Sequence, residues 1–140
     1  MNHIESMLNA HPNRSRMESA AGYAAAINAC LDCEQTCNSC ADACIAEDKL
    51  QMLQRCIRLD LDCAAICNAT ATLLARAYDP DARVLRTQLQ ACLAACVACA
   101  EECERHAKSM EHCRICAEVC RICERACQQV MGRLPAMAMA

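Results

Sequence analysis

From residue 15 onward the chain repeats one rhythm, apolar or cysteine positions spaced three and four apart with polar residues between them. This is the signature of helices that each turn one stripe toward a shared interior. Punctuation divides the pattern. A short amphipathic helix is expected within residues 1–12, with Ile4, Met7 and Leu8 on one side and Pro12 as its stop. Ser15 and Glu18 have capping-box spacing for a helix over 15–46. Asp48, followed by Gln51, is the N-cap candidate for a helix over 48–78. Asp79 then reads as a cap with Pro80 in the first turn of a helix over 79–108, and Ser109 as the cap of a last helix over 109–132. Residues 133–140 read as a loose tail, with Pro135 beyond the last helix.

Four long helices with short connections predict an all-α fold, an up-down-up-down antiparallel four-helix bundle preceded by one short helix. The length of 140 residues suits a single domain.

The stripes are written in cysteine. One helix carries Cys30, Cys33, Cys37, Cys40 and Cys44, and the last carries Cys113, Cys116, Cys120, Cys123 and Cys127. Between them lie Cys56, Cys63 and Cys67 on one helix and Cys92, Cys96, Cys99 and Cys103 on the next. Leu59 reads as the core-facing residue between Cys56 and Cys63. Folding the chain up and down brings all four stripes to the same end. The other end is then closed by Tyr23, Ile27, Leu73, Leu74, Leu85, Leu89, Val130, Met131 and Leu134.

Composition sharpens this picture. The chain has 17 Cys, no Trp, no Phe and only two Tyr, so thiols and small aliphatic groups must fill space normally taken by rings. A single buried cysteine is an ordinary small hydrophobe, but phased stripes of them need another explanation. The net charge of −3, with no basic run, argues against a nucleic-acid partner. No apolar stretch suits a membrane span, and residues 1–16 show neither a secretion signal nor a twin-arginine signal, so a cytoplasmic location is expected. In a reducing cytosol the thiols should be free or metal-bound. Enzyme motifs are lacking: no Gly-rich phosphate loop or Ser/His/Asp set is legible.

Soft thiolates select Cu(I), Zn(II) or iron–sulfur centres. The loop spacing of iron–sulfur proteins is missing. Zinc prefers isolated sets of four ligands, whereas these stripes place thiols at every turn for about 21 Å of helix at ~1.5 Å per residue. Cu(I) takes two or three thiolates, and pairs at i and i+4 suit it: Cys33/Cys37, Cys40/Cys44, Cys63/Cys67, Cys92/Cys96, Cys99/Cys103, Cys116/Cys120 and Cys123/Cys127. Met52, His106, Met110 and His112 should stand at the mouth of the thiol end, with the two histidines as candidate ligands. His3 and His11 are left between that mouth and the surface. A zinc or general soft-metal buffer of metallothionein type stays open, as does a redox or disulfide-bearing helical scaffold in which Cys63 and Cys67 face Cys33 and Cys37.

The runs Cys33-Glu34-Gln35-Thr36-Cys37-Asn38-Ser39-Cys40-Ala41-Asp42-Ala43-Cys44 and Cys113-Arg114-Ile115-Cys116-Ala117-Glu118-Val119-Cys120-Arg121-Ile122-Cys123 resemble the bacterial copper storage proteins, the cytosolic branch in particular. The resemblance implies homotetramers of four-helix bundles that hold many Cu(I) ions per chain, mostly through CxxxC pairs. It also implies histidines near the copper entrance, a role that falls by position on His106 and His112. A copper chaperone or small thiol is the expected donor. Leu59, in the slot where a full stripe would place a thiol, is a departure from it.

Overall fold

The computed structural model describes residues 2–17 and 19–134 and is all-α. Its helices are α1 (Ile4–Asn9), α2 (Ala20–Ile45), α3 (Gln54–Ala75), α4 (Ala82–Glu104) and α5 (Glu111–Arg133), with 3-10 turns at Arg14–Arg16 and Leu50–Leu53. Each long helix packs against two others, α2 and α4 both touching α3 and α5.

The helices are shorter than the sequence pattern predicts, and their caps are displaced. Ser15 lies in the 3-10 turn; the cap of α2 is Ser19, whose hydroxyl accepts a hydrogen bond from the Gly22 amide. Glu18 lies outside the described residues. Asp48 caps nothing: Leu53 precedes α3 with no side-chain cap, because the 3-10 turn has already redirected the chain. Asp79 adopts a left-handed φ of 51°, which Asp tolerates better than most residues, and the cap of α4 falls to Asp81. One Asp81 carboxylate oxygen accepts from the amides of Arg83 and Val84 at 3.0 and 3.1 Å. Met110 rather than Ser109 occupies the N-cap of α5. The last helix runs through Arg133 with Leu134 buried behind it, so the tail expected from residue 133 does not begin there; residues 135–140 lie outside the described residues.

The core has two zones. Tyr23, Ile27, Leu74, Leu85, Leu89, Val130 and Leu134 are buried together at one end, and Leu73 and Met131 pack partly buried against them. Within this zone Thr70 donates to the Ile66 carbonyl at 2.8 Å and accepts from Gln88 Nε2 at 3.0 Å, so its hydroxyl is satisfied. All the cysteines lie in the second zone, buried.

α1 covers the apolar end. Leu8 is buried and Ile4 partly so, but Met7 is 70% exposed, which removes it from the face assigned to it by spacing. His11 stacks on Tyr78 with ring centroids 4.9 Å apart, beside Ala75 and Ala77. It therefore sits at the apolar end, away from the thiol mouth, while His3 is exposed.

Candidate metal centre

The thiols are positioned by helix register. Cys30 lies 3.8 Å from Cys127 and 3.7 Å from Cys123, and Cys127 lies 3.8 Å from Cys92. Further along, Cys33 meets Cys63 and Cys120, each at 3.8 Å, and Cys37 meets Cys120 at 3.7 Å, Cys116 at 3.8 Å and Cys99 at 3.9 Å. Cys63 and Cys96 are 3.9 Å apart, and Cys56 and Cys103 3.7 Å. Early thiols of α2 thus face late thiols of α5, and early thiols of α3 face late thiols of α4. The i, i+4 pairs Cys33/Cys37 and Cys63/Cys67 touch within a helix at 3.9 Å, while the other contacts named cross between helices.

The sulfurs gather into overlapping sets whose ligand atoms lie within 4.8 Å of one another. These include Cys30, Cys92, Cys123 and Cys127; Cys33, Cys63, Cys67 and Cys96; Cys33, Cys37, Cys63 and Cys120; and Cys37, Cys99, Cys116 and Cys120. A further set joins Cys40, Cys44, Cys113 and His112. Cys33, Cys37, Cys63 and Cys120 each belong to two of these sets.

Asp60 is the residue that spacing did not reveal. Leu59 is only partly buried, and Asp60, fully buried, takes the place expected of it. The reason is chemical: the Asp60 carboxylate accepts from the thiols of Cys99 at 3.0 Å and Cys116 at 3.3 Å, partners that an alkyl group cannot use. Cys103 and Cys56 lie farther, at 3.8 and 3.9 Å. The helical phase Cys56, Asp60, Cys63, Cys67, stepping four, three, four, carried the signal. Asp60 adds an oxygen donor to a sulfur-lined interior.

At the mouth, Met52, Met110 and His106 line one cavity of about 350 Å³ with Ala46, Glu47, Asp48, Lys49 and Ser109. His106 Nε2 lies 3.0 Å from the Glu102 carboxylate. His112 points elsewhere: its Nδ1 is 3.4 Å from Cys40 Sγ and 3.6 Å from Cys113 Sγ. Its Nε2 is buried without a hydrogen-bond partner, the nearest carboxylate oxygen being Glu47 Oε1 at 3.9 Å. Of the two predicted histidines, His112 borders the thiols, while His106 lies in the mouth cavity against Glu102.

Proton affinities follow from burial and from shared protons. Burial, the largest cause, pushes the Asp60 carboxyl up to about 8 from its ordinary 3.8. Burial, then the charges of Cys56 and Cys113, raises the Cys44 thiol. Inside the cluster neighbours move oppositely: hydrogen bonds from Cys120 and Cys33 lower Cys63, while contacts with Cys123 and Cys30 raise Cys67. Such thiols lose protons as a group rather than one by one. A monovalent soft cation that replaces a thiol proton leaves the interior charge unchanged, which makes it a fitting guest for this core.

The family model described as "Copper storage protein" matches residues 19–132. The chain belongs to the copper storage protein family. The copper storage protein Ccsp from Streptomyces lividans, in a structure loaded with 10 copper equivalents, superposes with a TM-score of 0.90 at 46% identity, covering 94% of this chain and 99% of Ccsp. A second structure, described as a cytosolic copper storage protein from Streptomyces lividans with five coppers, gives 0.80 at 50% identity over 82% of this chain and 96% of that one. Cu(I)-bound copper storage protein BsCsp3 gives 0.69 at 33% identity over 77% of this chain and 96% of that one. A cysteine-rich protein of Bacillus subtilis (strain 168), YhjQ, described as uncharacterized, is 36% identical over 92 residues, 66% of this chain and 80% of that protein. Among the described residues, no helix is long and apolar enough to cross a membrane.

Proposed function

We propose that this chain is a non-enzymatic cytosolic store that sequesters many Cu(I) ions among the thiolates of its interior. The observation that carries the reading is the overlap of the four-ligand sets: Cys33, Cys37, Cys63 and Cys120 each serve two of them. Zinc in structural sites holds a private tetrahedron of ligands, whereas Cu(I) accepts thiolates that bridge from one metal to the next. Shared thiols therefore favour a continuous copper–thiolate assembly over separate zinc sites. All 17 cysteines act as ligands in this reading, with CxxxC pairs and cross-helix neighbours both contributing and His106 and His112 at the entrance. The opposed order of thiols on α2/α5 and on α3/α4 supports an up-down-up-down antiparallel four-helix bundle forming one domain. A homotetramer remains the expectation drawn from the family resemblance. The cytosolic assignment rests on the description of the Streptomyces relative and on the need of free thiols for reducing surroundings.

The competing reading is a zinc buffer, since a tetrahedron with Zn–S near 2.3 Å has edges of about 3.8 Å, close to the 3.7 to 3.9 Å sulfur separations here. Competition separates the two. Adding Cu(I) anaerobically to the zinc-loaded protein is expected to release all the zinc, read with a chromogenic zinc chelator. Retention of zinc in the presence of excess Cu(I) would favour the buffer.

A further inference from the structure

The thiol stripe of α4 steps four, three and four through Cys92, Cys96, Cys99 and Cys103, and a further step of three reaches His106, just past the helix end at Glu104. The backbone there is held from both sides. The His106 amide donates to the Cys103 carbonyl at 3.0 Å, and the His106 carbonyl accepts from the Met110 amide at 3.0 Å. The side chain lines the mouth cavity beside Met52, which is 61% exposed, so a donor atom on the ring meets metal arriving from solvent.

Glu102 decides which donor the ring offers. Its Oε2 lies 3.0 Å from His106 Nε2, and the two side chains are only 10% and 12% exposed. A Glu–His pair four residues apart is ordinary on an open helix face. Glu102 is instead buried, where a carboxylate is costly unless its hydrogen bonds are made. Its other oxygen has the largely exposed Arg105 guanidinium at 3.8 Å, beyond hydrogen-bond length, which leaves His106 as the close partner. A carboxylate accepts and does not donate, so Nε2 carries the ring proton and Nδ1 keeps its lone pair. Among the described residues, Nδ1 of His106 makes no hydrogen bond.

We propose that Glu102 is a positioning residue for copper uptake: by holding the Nε2 proton of His106 it fixes the tautomer and orientation of the ring, with Nδ1 as the metal-binding atom at the mouth. The inference deepens the storage reading above and rests on it. A carboxylate bound to one ring nitrogen also raises the basicity of the other toward a metal. When a Cu(I)–thiolate complex arrives, a Cu–Nδ1 bond forms, one Cu–S bond breaks, and the thiolate leaves with its electron pair. Copper stays monovalent and no proton leaves the ring. A ring with its proton on Nδ1 would have to give that proton up first.

The test uses the reduced full chain and the Cu(I)–glutathione complex under anaerobic stopped flow. Glu102→Ala should take up copper about tenfold more slowly, the lower end of what removal of a ligand-orienting partner costs. His106→Ala should be at least as slow, and the double variant no slower than His106→Ala, because Glu102 acts only through that ring. Glu102→Gln, whose amide oxygen still accepts from Nε2, should recover most of the lost rate. In the reduced metal-free parent at mildly alkaline pH, long-range proton–nitrogen correlation NMR should show His106 protonated at Nε2, a readout that needs no variant to fold. The proposal is overturned by a proton on Nδ1 in the parent, by a parental rate in either alanine variant, by a slowing from Glu102→Ala that persists in the His106→Ala background, or by Glu102→Gln as slow as Glu102→Ala. Final copper content, measured in the same samples, reports on the storage reading separately: normal capacity with any of these outcomes sinks the role of Glu102 alone, whereas low capacity in the parent sinks the storage reading.

Discussion

Replacing Asp60 with asparagine is expected to remove a large pH dependence from the stability of the reduced, metal-free protein. The Asp60 carboxyl is fully buried and its pKa in the fold is about 8, against an ordinary value of 3.8. A group whose pKa is raised on folding stabilises fully below its unfolded pKa, and that contribution is lost as pH rises through the folded value. The window is therefore about pH 4 to 8. Between pH 4 and 7 the parent should lose about 4 kcal/mol through this one group, at ~1.36 kcal/mol per pH unit over roughly three units. Asparagine does not titrate, so in Asp60→Asn the difference between the two pH values should shrink by that amount. Anaerobic urea unfolding at both pH values measures it, and exposed carboxylates cancel between parent and variant. Equal pH dependence in the two proteins would mean that Asp60 is ionised and satisfied in the folded apoprotein.

The second large effect belongs to the opposite end. Leu89 is fully buried in the apolar zone, among side chains that include Tyr23, Leu74, Leu85 and Val130. Leu89→Ala should cost roughly 2 to 5 kcal/mol in the metal-free protein, from lost transfer energy and the cavity left behind. The thermal midpoint should fall on the order of 10 °C, given a few degrees per kcal/mol for a chain of this size. Copper capacity should not change, because no thiol is removed. Loading should stabilise parent and variant alike, since ligands that bind only the folded state stabilise it by mass action. A variant as stable as the parent without copper would show that the thiol zone, rather than the apolar plug, carries the folding energy.

Much of this was legible in the sequence because cysteine served as its own marker of phase. Steps of three and four placed Cys30 to Cys44 and Cys113 to Cys127 on inward stripes, and the structure buries every one of them. The apolar closure by Tyr23, Leu74, Leu89 and Val130 followed from the same phase. Helix ends were less legible. Several cap-type residues lie within a few positions of each start, and local turn geometry chose Ser19 over Ser15 and Asp81 over Asp79. Asp60 was missed for a different reason. Leu59 and Asp60 both fit the gap between Cys56 and Cys63, and hydrophobicity favours Leu59. The choice turns on thiol donors from α4 and α5, Cys99 and Cys116, which no local pattern on α3 can reveal. That His106 lines one cavity and His112 another depends on the packing of α2 against α5, which the sequence pattern does not show.

The central claim is tested most directly by anaerobic titration of the reduced apoprotein with Cu(I) in the presence of a competing chelator, reading bound copper per chain and remaining free thiols. With thiolates shared between metals, binding of about one copper per cysteine is predicted, with nearly all 17 thiols consumed. Saturation at a few ions, with most thiols still free, would contradict a storage core.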